Sequence, residues 1–223
     1  MDLYVLTTLS ARAAVCAHRF VRSERLEVKS MIKNIVLCGV GGQGTVLASK
    51  LLAAAAMEKG FTVMSAETIG MAQRGGNVFS NIRISDGEAM YAPMIGTGEA
   101  DLILAFEPGE AVRMLPFLKK DGFVITNTRA VKPTTATLTG SGYDAGPMLE
   151  YLRKKVADGH LMQVDGDSAA AALGNPRVLN VVLLGAAVRT GALGLTEEDI
   201  LNVMGKVIKE KFLDLNRKAF TLA

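Results

Sequence analysis

The sequence predicts an α/β protein with a mostly parallel, open, Rossmann-like sheet, helices on both faces and one antiparallel hairpin. Three observations support this fold class. Short apolar runs alternate with helical stretches, a glycine-crowded turn separates the first strand from the first helix, and Asp86-Gly87 lies between two strand-like runs, a strong hairpin signal. The chain has 223 residues, of which 49% are hydrophobic, enough for one domain with a sizeable core.

The elements in the first part of the chain follow from local residue types. Alanine and leucine, which are good helix formers, dominate the stretch after the glycine-crowded turn, and Gly60 ends it. This part is therefore predicted to be a βαβ unit followed by the hairpin. Its predicted elements are strand 34–38, helix 45–59, strand 62–66, strand 78–85 and strand 88–92.

The second part continues the alternation of strands and helices. The apolar run 100–106 is typical of a strand buried on both faces, and Pro108 suits a helix start because its missing N–H would be unpaired there anyway. Thr196, followed by three acidic residues, is typical of a helix N-cap. The other predicted elements are helix 110–119, a turn at 121–122, strand 123–126, helix 147–157, strand 161–164, and helical segments at 168–173, at 177–190 and after Thr196.

Charge and cysteine usage argue against several classes of protein. The formal net charge is +3, with no long run of one sign, so we expect neither a nucleic-acid partner nor a membrane surface. Apolar runs fall short of the roughly 20 residues that a bilayer span needs, so we expect a soluble chain. Cys16 and Cys38 form no CxxC motif and the sequence has no histidine cluster, so we expect a reducing, cytoplasmic compartment and no metal site in this chain.

Residues 1–30 are treated as an N-terminal extension outside the domain at 31–223. Basic residues are scattered among apolar ones, and a fresh Met31 stands just before the first strand. Asp2 and Arg12 argue against a secretory signal. The alternatives are a transit-like segment and a start assigned too far upstream, of which we favour the second; we expect this extension to be mis-assigned or disordered.

The glycine loop, defined as residues 39–44 with the sequence GVGGQG, is the most informative motif. Its first, third and sixth positions satisfy G-x-G-x-x-G, in which the glycines permit the turn, close ligand approach and helix packing. The fourth position adds a glycine that packing does not need, and Gln43 places an amide at the helix mouth. Because a helix N-terminus has unpaired N–H groups, the loop predicts an anion-binding site.

Alternatives to this interpretation stay open. The glycines could serve only strand-to-helix packing. A dinucleotide site would need an acidic residue at the end of strand two; Glu67 is near that position, although residues 65–66 occupy the predicted strand end. Cys38 could be a thiolate activated by the helix N-terminus, but we favour a small core residue.

The second loop, defined as residues 68–76, follows strand two at the carboxyl edge of the sheet, where open α/β sheets bind ligands. Arg74 has a planar fork suited to carboxylate or phosphate, and the neighbouring glycines let the backbone pass close to a ligand. An isolated basic residue in a polar loop is usually solvated. Two glycine-containing loops at one edge nevertheless favour a shared ligand site.

Two further polar residues are weaker site candidates, and two others are assigned other roles. Glu107 and Asn127 follow strands at the same edge, with a helix N-terminal charge and a turn former as the alternative roles. Asn180 lies inside an apolar helix and is a candidate interface or core polar group. His160 is most simply a turn residue.

Four segments resemble a known family. They are GVGGQG, MAQRGG with VFSNIRIS behind it, ADLILAFEPGEAVRMLPFL, and NVVLLGAA. From about residue 32 to the C-terminus, the chain is similar to the gamma-type domain of the 2-oxoacid:ferredoxin oxidoreductases. The MAQRGG motif resembles that of the small (beta) subunits of the indolepyruvate branch.

The resemblance implies oxidative decarboxylation of an arylpyruvate with coenzyme A and ferredoxin, giving an aryl-acetyl-CoA, carbon dioxide and reduced ferredoxin. This chemistry needs an electron sink such as the thiamine ylid and iron-sulfur clusters held by several cysteines. The chain has neither a Gly-Asp-Gly thiamine signature nor enough cysteines. Thiamine diphosphate and the clusters are therefore expected in a large (alpha) subunit, and the isolated chain is expected to be inactive and to bind no cofactor alone.

The resemblance also places part of an active site in this chain. The glycine loop would receive an anionic part of substrate or coenzyme A, and Arg74 would orient a carboxylate or phosphate. The predicted contact residues are Arg74, Gly39, Gly41, Gly42, Gln43, Gly44, Gln73, Gly75 and Gly76. An independent NAD(P)-binding dehydrogenase and a purely structural docking subunit stay open as alternatives.

Overall fold

The computed structural model describes residues 31–69, 76–132 and 142–222. The strands are β1 (Ile32–Val40), β2 (Thr62–Ile69), β3 (Asn77–Ser85), β4 (Ala100–Ala105), β5 (Leu118–Asn127) and β6 (Leu161–Val164). The helices are α1 (Thr45–Glu58), α2 (Pro108–Met114), α3 (Ala145–Lys155), α4 (Gly166–Ala172), α5 (Leu179–Arg189), α6 (Glu197–Val207) and α7 (Glu210–Thr221). Short 3-10 helices occupy Leu115–Phe117 and Pro176–Val178. Within these described ranges, no helix is long and apolar enough to cross a membrane.

The six strands form one sheet in the order β2-β3-β1-β4-β5-β6. The strands β1, β4, β5 and β6 pair in parallel, whereas β3 runs antiparallel to both of its neighbours, β1 and β2. Five strands therefore run one way and one runs against them. This confirms the predicted fold class, including an antiparallel hairpin, which β2 and β3 form.

The predicted position of that hairpin is wrong. Residues 88–92, directly after Asp86-Gly87, form no strand, and the Ser85 hydroxyl donates to the Glu88 carbonyl at 2.7 Å. The strand 78–85 lies between β1 and β2, so the predicted βαβ unit is split rather than made of neighbouring strands. The physical reason is burial. The Ile82 and Ile84 side chains are fully buried in this central strand, and burying their apolar surface stabilises the protein more than a place at the sheet edge would.

Three other elements differ from the prediction. Asp121 and Gly122 are not a turn but part of β5, beside a register shift opposite β4. Helix α2 ends at Met114, because Pro116 follows within a 3-10 turn. No helix was predicted at the position of α7, because its few buried residues are interspersed with charged ones.

Helices cover both faces of the sheet. One core joins the sheet to α1, α5, α6 and α7, and a second core on the other face joins it to α2 and α3. The chain therefore crosses to one face after β1 and to the other face after the neighbouring strand β4. This is a topological switch point, and ligands of open α/β sheets bind outside the carboxyl ends of the strands there.

The predicted cap of α6 is confirmed. Asp199 N–H donates to the Thr196 hydroxyl at 3.2 Å, and Thr196 N–H donates back to the Asp199 carboxylate at 2.8 Å. Lys59 Nζ lies 2.9 Å from the same carboxylate and ties the end of α1 to α6. The Thr196 N–H is the main cause of the lowered pKa of Asp199.

The substitution Asp199→Ala should lower the free energy of unfolding at neutral pH by about 1 kcal/mol, because it removes a reciprocal cap. The folded state holds this carboxylate charged, so its contribution is complete above the unfolded-state pKa and is lost as the pH falls through the lower folded pKa. Urea denaturation at several pH values measures this. Glu198→Ala, which removes an exposed first-turn carboxylate, is the matched control; equal losses for both variants would contradict the prediction.

Candidate functional site

The glycine loop turns sharply between β1 and α1. Gly42 and Gly44 have φ values of 103° and 83°, in the left-handed region that favours glycine. Gly44 is the N-cap of α1, and its carbonyl accepts the N–H groups of Leu47 and Ala48 at 3.0 and 3.2 Å. The first amides of the helix therefore face out of the turn.

These outward amides border a cavity. Among the described residues, the backbone N–H groups of Gly42, Gly44, Thr45 and Val46 have no acceptor. The cavity has a volume of about 310 Å³ and is lined by Val40, Gly41, Gly42, Gly44, Thr45, Val46 and Val78. Free N–H donors at the N-terminus of a 14-residue helix favour an anionic group.

Both polar atoms of the Gln43 side chain form hydrogen bonds within the protein. Its Oε1 accepts the Val40 N–H at 2.7 Å, and its Nε2 donates to the Phe106 carbonyl at 2.8 Å. A Cβ on Gly39 would lie 2.7 Å from Gln43 Oε1, so the absence of a side chain there makes room for this bridge. Ligand contact through the Gln43 amide would break these two bonds, and the backbone donors are the better candidates.

Asn180 is a core polar group, which was one of the two roles predicted for it. It is 1% exposed, and its Nδ2 donates to the Gly44 carbonyl at 3.1 Å. A Cβ on Gly44 would lie 2.5 Å from that nitrogen. Asn180 therefore supports the base of the glycine loop from α5.

The second loop reaches the glycine loop at Gly76. The Gly41 N–H donates to the Gly76 carbonyl at 2.8 Å, and the next residue along, Asn77, pairs with Val40 at the start of β3. The predicted contact residues Gln73, Arg74 and Gly75 lie outside the described residues. The end of the second loop thus meets the glycine loop at the predicted edge, and this contact uses the Gly41 N–H.

Glu107 lies at the carboxyl end of β4 and is fully buried. Its carboxylate accepts the Glu110 N–H at 2.8 Å, the Tyr143 hydroxyl at 3.1 Å and the Val131 N–H at 3.4 Å. Burial raises the pKa of Glu107, and all three of these bonds oppose the shift. Glu107 is the N-cap of α2 and so lies at a helix N-terminus, as its alternative role as a helix N-terminal charge requires. No signal in the sequence linked Tyr143 to this position.

The Asn127 side chain also forms hydrogen bonds that link two elements of the fold. Its Nδ2 donates to Asp167 at 2.8 Å, and its Oδ1 accepts the Gly166 N–H at 3.2 Å, which ties the end of β5 to α4. His160 follows the predicted turn, and its ring stacks on Phe123 with centroids 4.3 Å apart. Neither side chain faces the glycine loop cavity.

Glu67 does not occupy the ribose-binding position of a dinucleotide fold. It is exposed in β2, at the edge of the sheet. The strand β3 separates β2 from β1, which places the two strands about 10 Å apart. The geometry that the dinucleotide alternative needs is therefore missing.

Cys38 is buried in the core on the α2 face. Burial, followed by the charges of Glu110 and Glu107, raises the pKa of its thiol. This agrees with the favoured role as a small core residue. In the described part of the chain, no group of three or more His, Cys, Asp or Glu side chains could hold a metal ion.

Comparisons with known proteins connect this site to a family. A family model described as pyruvate ferredoxin/flavodoxin oxidoreductase matches residues 34–223. The indolepyruvate oxidoreductase subunit IorB of Thermococcus kodakarensis is 40% identical over 192 residues, 85% of this chain and 93% of that protein. The pyruvate/ketoisovalerate oxidoreductases common subunit gamma of the same organism is 31% identical over 176 residues, 78% of this chain and 83% of its own length.

A solved structure supports the same assignment of fold. It is the gamma subunit of a keto/oxoacid ferredoxin oxidoreductase from Geobacter sulfurreducens, with a TM-score of 0.61 and 25% sequence identity. The match covers 85% of this chain and 95% of that one.

Gly44→Ala should destabilise the protein more than Gly60→Ala. The two glycines have φ values of 83° and 85°, so both variants carry a similar backbone strain of about 1–2 kcal/mol. Only the new Cβ at Gly44 would displace Asn180, since nothing lies within 4 Å of one at Gly60. We expect an extra loss of about 1–3 kcal/mol in the free energy of unfolding. Equal losses in chemical denaturation would contradict the proposed support by Asn180.

Proposed function

The chain belongs to the pyruvate ferredoxin/flavodoxin oxidoreductase family, and we propose that it is the small subunit of a heteromeric arylpyruvate:ferredoxin oxidoreductase. With a large (alpha) subunit it would complete the site for oxidative decarboxylation of arylpyruvates, indolepyruvate among them. Coenzyme A would be the acceptor of the acyl group and ferredoxin the acceptor of electrons. Identity of 40% to a chain named as an indolepyruvate oxidoreductase subunit supports the arylpyruvate class.

The observation that carries the site proposal is the set of free backbone donors at the N-terminus of α1. These N–H groups border a cavity at the carboxyl edge of the sheet. Such donors stabilise an anion without adding a fixed counter-charge. We propose that they receive a phosphate of coenzyme A or the carboxylate of the 2-oxoacid.

Arg74 would supply the positive charge that the described part of the cavity lacks among its lining residues. It is two residues before Gly76 in the sequence, so covalent geometry limits its Cα to about 7 Å from that of Gly76. The Gly76 carbonyl is bonded to the glycine loop. With Gln73 and the Gly75 backbone beside it, Arg74 would orient a carboxylate or phosphate bidentately.

We assign the cofactors and the anion-binding groups to different subunits, because this chain lacks a thiamine signature and the cysteines that iron-sulfur clusters need. Thiamine diphosphate and iron-sulfur clusters, which we place in the large subunit, would supply the electron sink and single-electron transfer. The residues of this chain would bind and orient the anionic group and exclude water from it. We propose a cytoplasmic location for the assembly, and the free, buried thiol of Cys38 is compatible with such a reducing compartment.

Val46→Glu tests the anion site without weakening the helix. A carboxylate in the first turn of α1 stabilises the helix through its dipole, yet it would repel an anion in the cavity that Val46 lines. In the assembled complex we expect the KM for coenzyme A or for the oxoacid to rise about tenfold or more, as for a penalty of about 1.4 kcal/mol.

Val46→Gln, which has the same length and no charge, is the matched control and should raise the KM less than Val46→Glu does. Steady-state kinetics of the purified complex, with dye reduction as the readout, gives both values. If the two variants raise the KM equally, a charge at the N-terminus of α1 does not affect binding and the proposed anion site is wrong.

Arg74→Ala tests the second loop. The subunits should still co-purify, while the KM for the oxoacid or for coenzyme A rises at least about tenfold, because a charge-assisted bond is lost. Arg74→Lys should recover part of the loss, since lysine keeps the charge but not the planar fork. A normally assembled Arg74→Ala complex with the wild-type rate would favour a purely structural docking subunit instead.

A further inference from the structure

A second cavity lies at the amino edge of the sheet, where the parallel strands begin. This amino-edge cavity is lined by residues from 112–120 and 151–157, has a volume of about 420 Å³, and shares no lining residue with the glycine loop cavity. It lies between the end of α2, the start of β5 and the end of α3. Leu118, which borders it, pairs with Ala100, the first residue of β4. The glycine loop follows the opposite, carboxyl ends of the strands, so the two cavities are separate.

Apolar side chains form much of the wall of the amino-edge cavity. Val112, Leu115 and Leu118 are partly buried and pack against the second core, and Val156 is buried within it. The Tyr151 side chain also lines the cavity and is 45% exposed. Ligand cavities of about 300–1,000 Å³ are lined mainly by such residues, with a few polar groups that fix the orientation of the ligand. The wall therefore suits an apolar or aromatic body.

The charged groups of the cavity are cationic. Lys119, Lys120 and Lys155 line it, and among its described lining residues there is no carboxylate. Lys119 Nζ is paired with Asp101 at 2.5 Å, whereas Lys120 and Lys155 form no ion pair within the described ranges. Lys155 Nζ lies 5.7 Å from the centre of the Tyr151 ring. Two ammonium groups without a carboxylate partner thus border the same cavity as an exposed aromatic ring.

A bulge in β5 places two of these lysines. The register of β5 against β4 shifts between residues 118 and 123, which leaves the residues between them out of the parallel ladder. A Cβ on Gly122 would lie 2.9 Å from the Ala100 carbonyl oxygen, so the bulge needs a glycine there. Bulges re-aim side chains and are frequent beside functional sites. Lys119 and Lys120 are the bulged residues that border the cavity.

The end of a helix explains only part of this positive charge. Arg153, Lys154 and Lys155 occupy the last turn of α3, where cations offset the negative end of the helix dipole. Lys120 belongs to β5 and is exposed, so the dipole of α3 does not account for its place at the cavity. Cations from two elements, set beside an apolar wall, favour an anion that also has an apolar body.

We propose that the amino-edge cavity binds an aromatic carboxylate. The ring packs against the apolar wall and Tyr151, and the carboxylate contacts the ammonium groups of Lys120 and Lys155. No arginine and no N-terminus of an α-helix is among the described lining residues, and these are the groups that favour polyphosphates. A single carboxylate therefore fits the cavity better than a nucleotide does. This site goes beyond the proposed function, because it is separate from the anion site and lies within this chain.

The test titrates the full chain, labelled with nitrogen-15, with phenylacetate, phenylacetamide and acetate at low salt. Phenylacetamide has the shape of phenylacetate without its charge, and acetate has the charge without the ring. With phenylacetate we expect saturable shifts of the backbone amide signals of residues 117–120 and 151–157, and a Kd of about 1 mM, as for a ligand of this size. Phenylacetamide should bind at least about threefold more weakly, because an exposed charge pair is lost. Acetate should give no saturable shift.

Lysine variants test which charges hold the carboxylate. Lys120→Gln and Lys155→Gln should each raise the Kd for phenylacetate about threefold, and the double variant should raise it about tenfold. Lys154→Gln is the matched control, since it removes the same charge from the adjacent position. Lys154 is paired with Glu150 at 2.6 Å and does not line the cavity, so this variant should keep the wild-type Kd. Tyr151→Phe, which keeps the ring, should keep the Kd as well, whereas Tyr151→Ala should raise it.

Three results would overturn the inference. Equal Kd values for phenylacetate and phenylacetamide would show that charge plays no part, and this comparison needs no variant. Equal effects of Lys155→Gln and Lys154→Gln would show that the lysines of the cavity have no special role. Phenylacetate shifts confined to residues 42–46, or no saturable shift at all, would show that the ligand binds at the anion site or not at all.

Discussion

The Gln43 amide is the contact on which the candidate site depends. It accepts the Val40 N–H from the end of β1 and donates to the Phe106 carbonyl at the end of β4, two strands whose helices pack on opposite faces of the sheet. The bridge closes the glycine loop and fixes the gap at the switch point. Because it uses both polar groups of the side chain, the amides at the start of α1 are left to face outwards.

Local signals in the sequence were sufficient for part of this architecture. Strand, glycine turn and helix start follow one another within about a dozen residues, and Thr196 with Asp199 forms a cap within one helical turn. Local signals do not determine which strands become neighbours in the sheet. The strand β3 fits an edge hairpin and a central position equally well by its alternation, and only the burial of Ile82 and Ile84 between β1 and β2 decides between them.

Polar residues at strand ends were the hardest to assign from sequence. Gln43, Glu107 and Asn127 all lie at the predicted edge, yet their hydrogen-bonding atoms are bonded to other parts of the chain. A buried polar group must find a partner, and that partner is often distant in sequence, as Tyr143 is from Glu107. Sequence reasoning could therefore locate the edge and its glycines, but not separate residues that hold the edge from groups that face a ligand.

A site made largely of backbone donors depends strongly on its surroundings. In an open cavity, water competes for the N–H groups of Gly42, Gly44, Thr45 and Val46, and a helix N-terminus alone binds an anion weakly. The same donors become much stronger when another surface excludes water, because they are already oriented and need no rearrangement. A chain of this kind contributes most of its binding energy only after it is assembled, which is why affinity for coenzyme A should be measured on the complex.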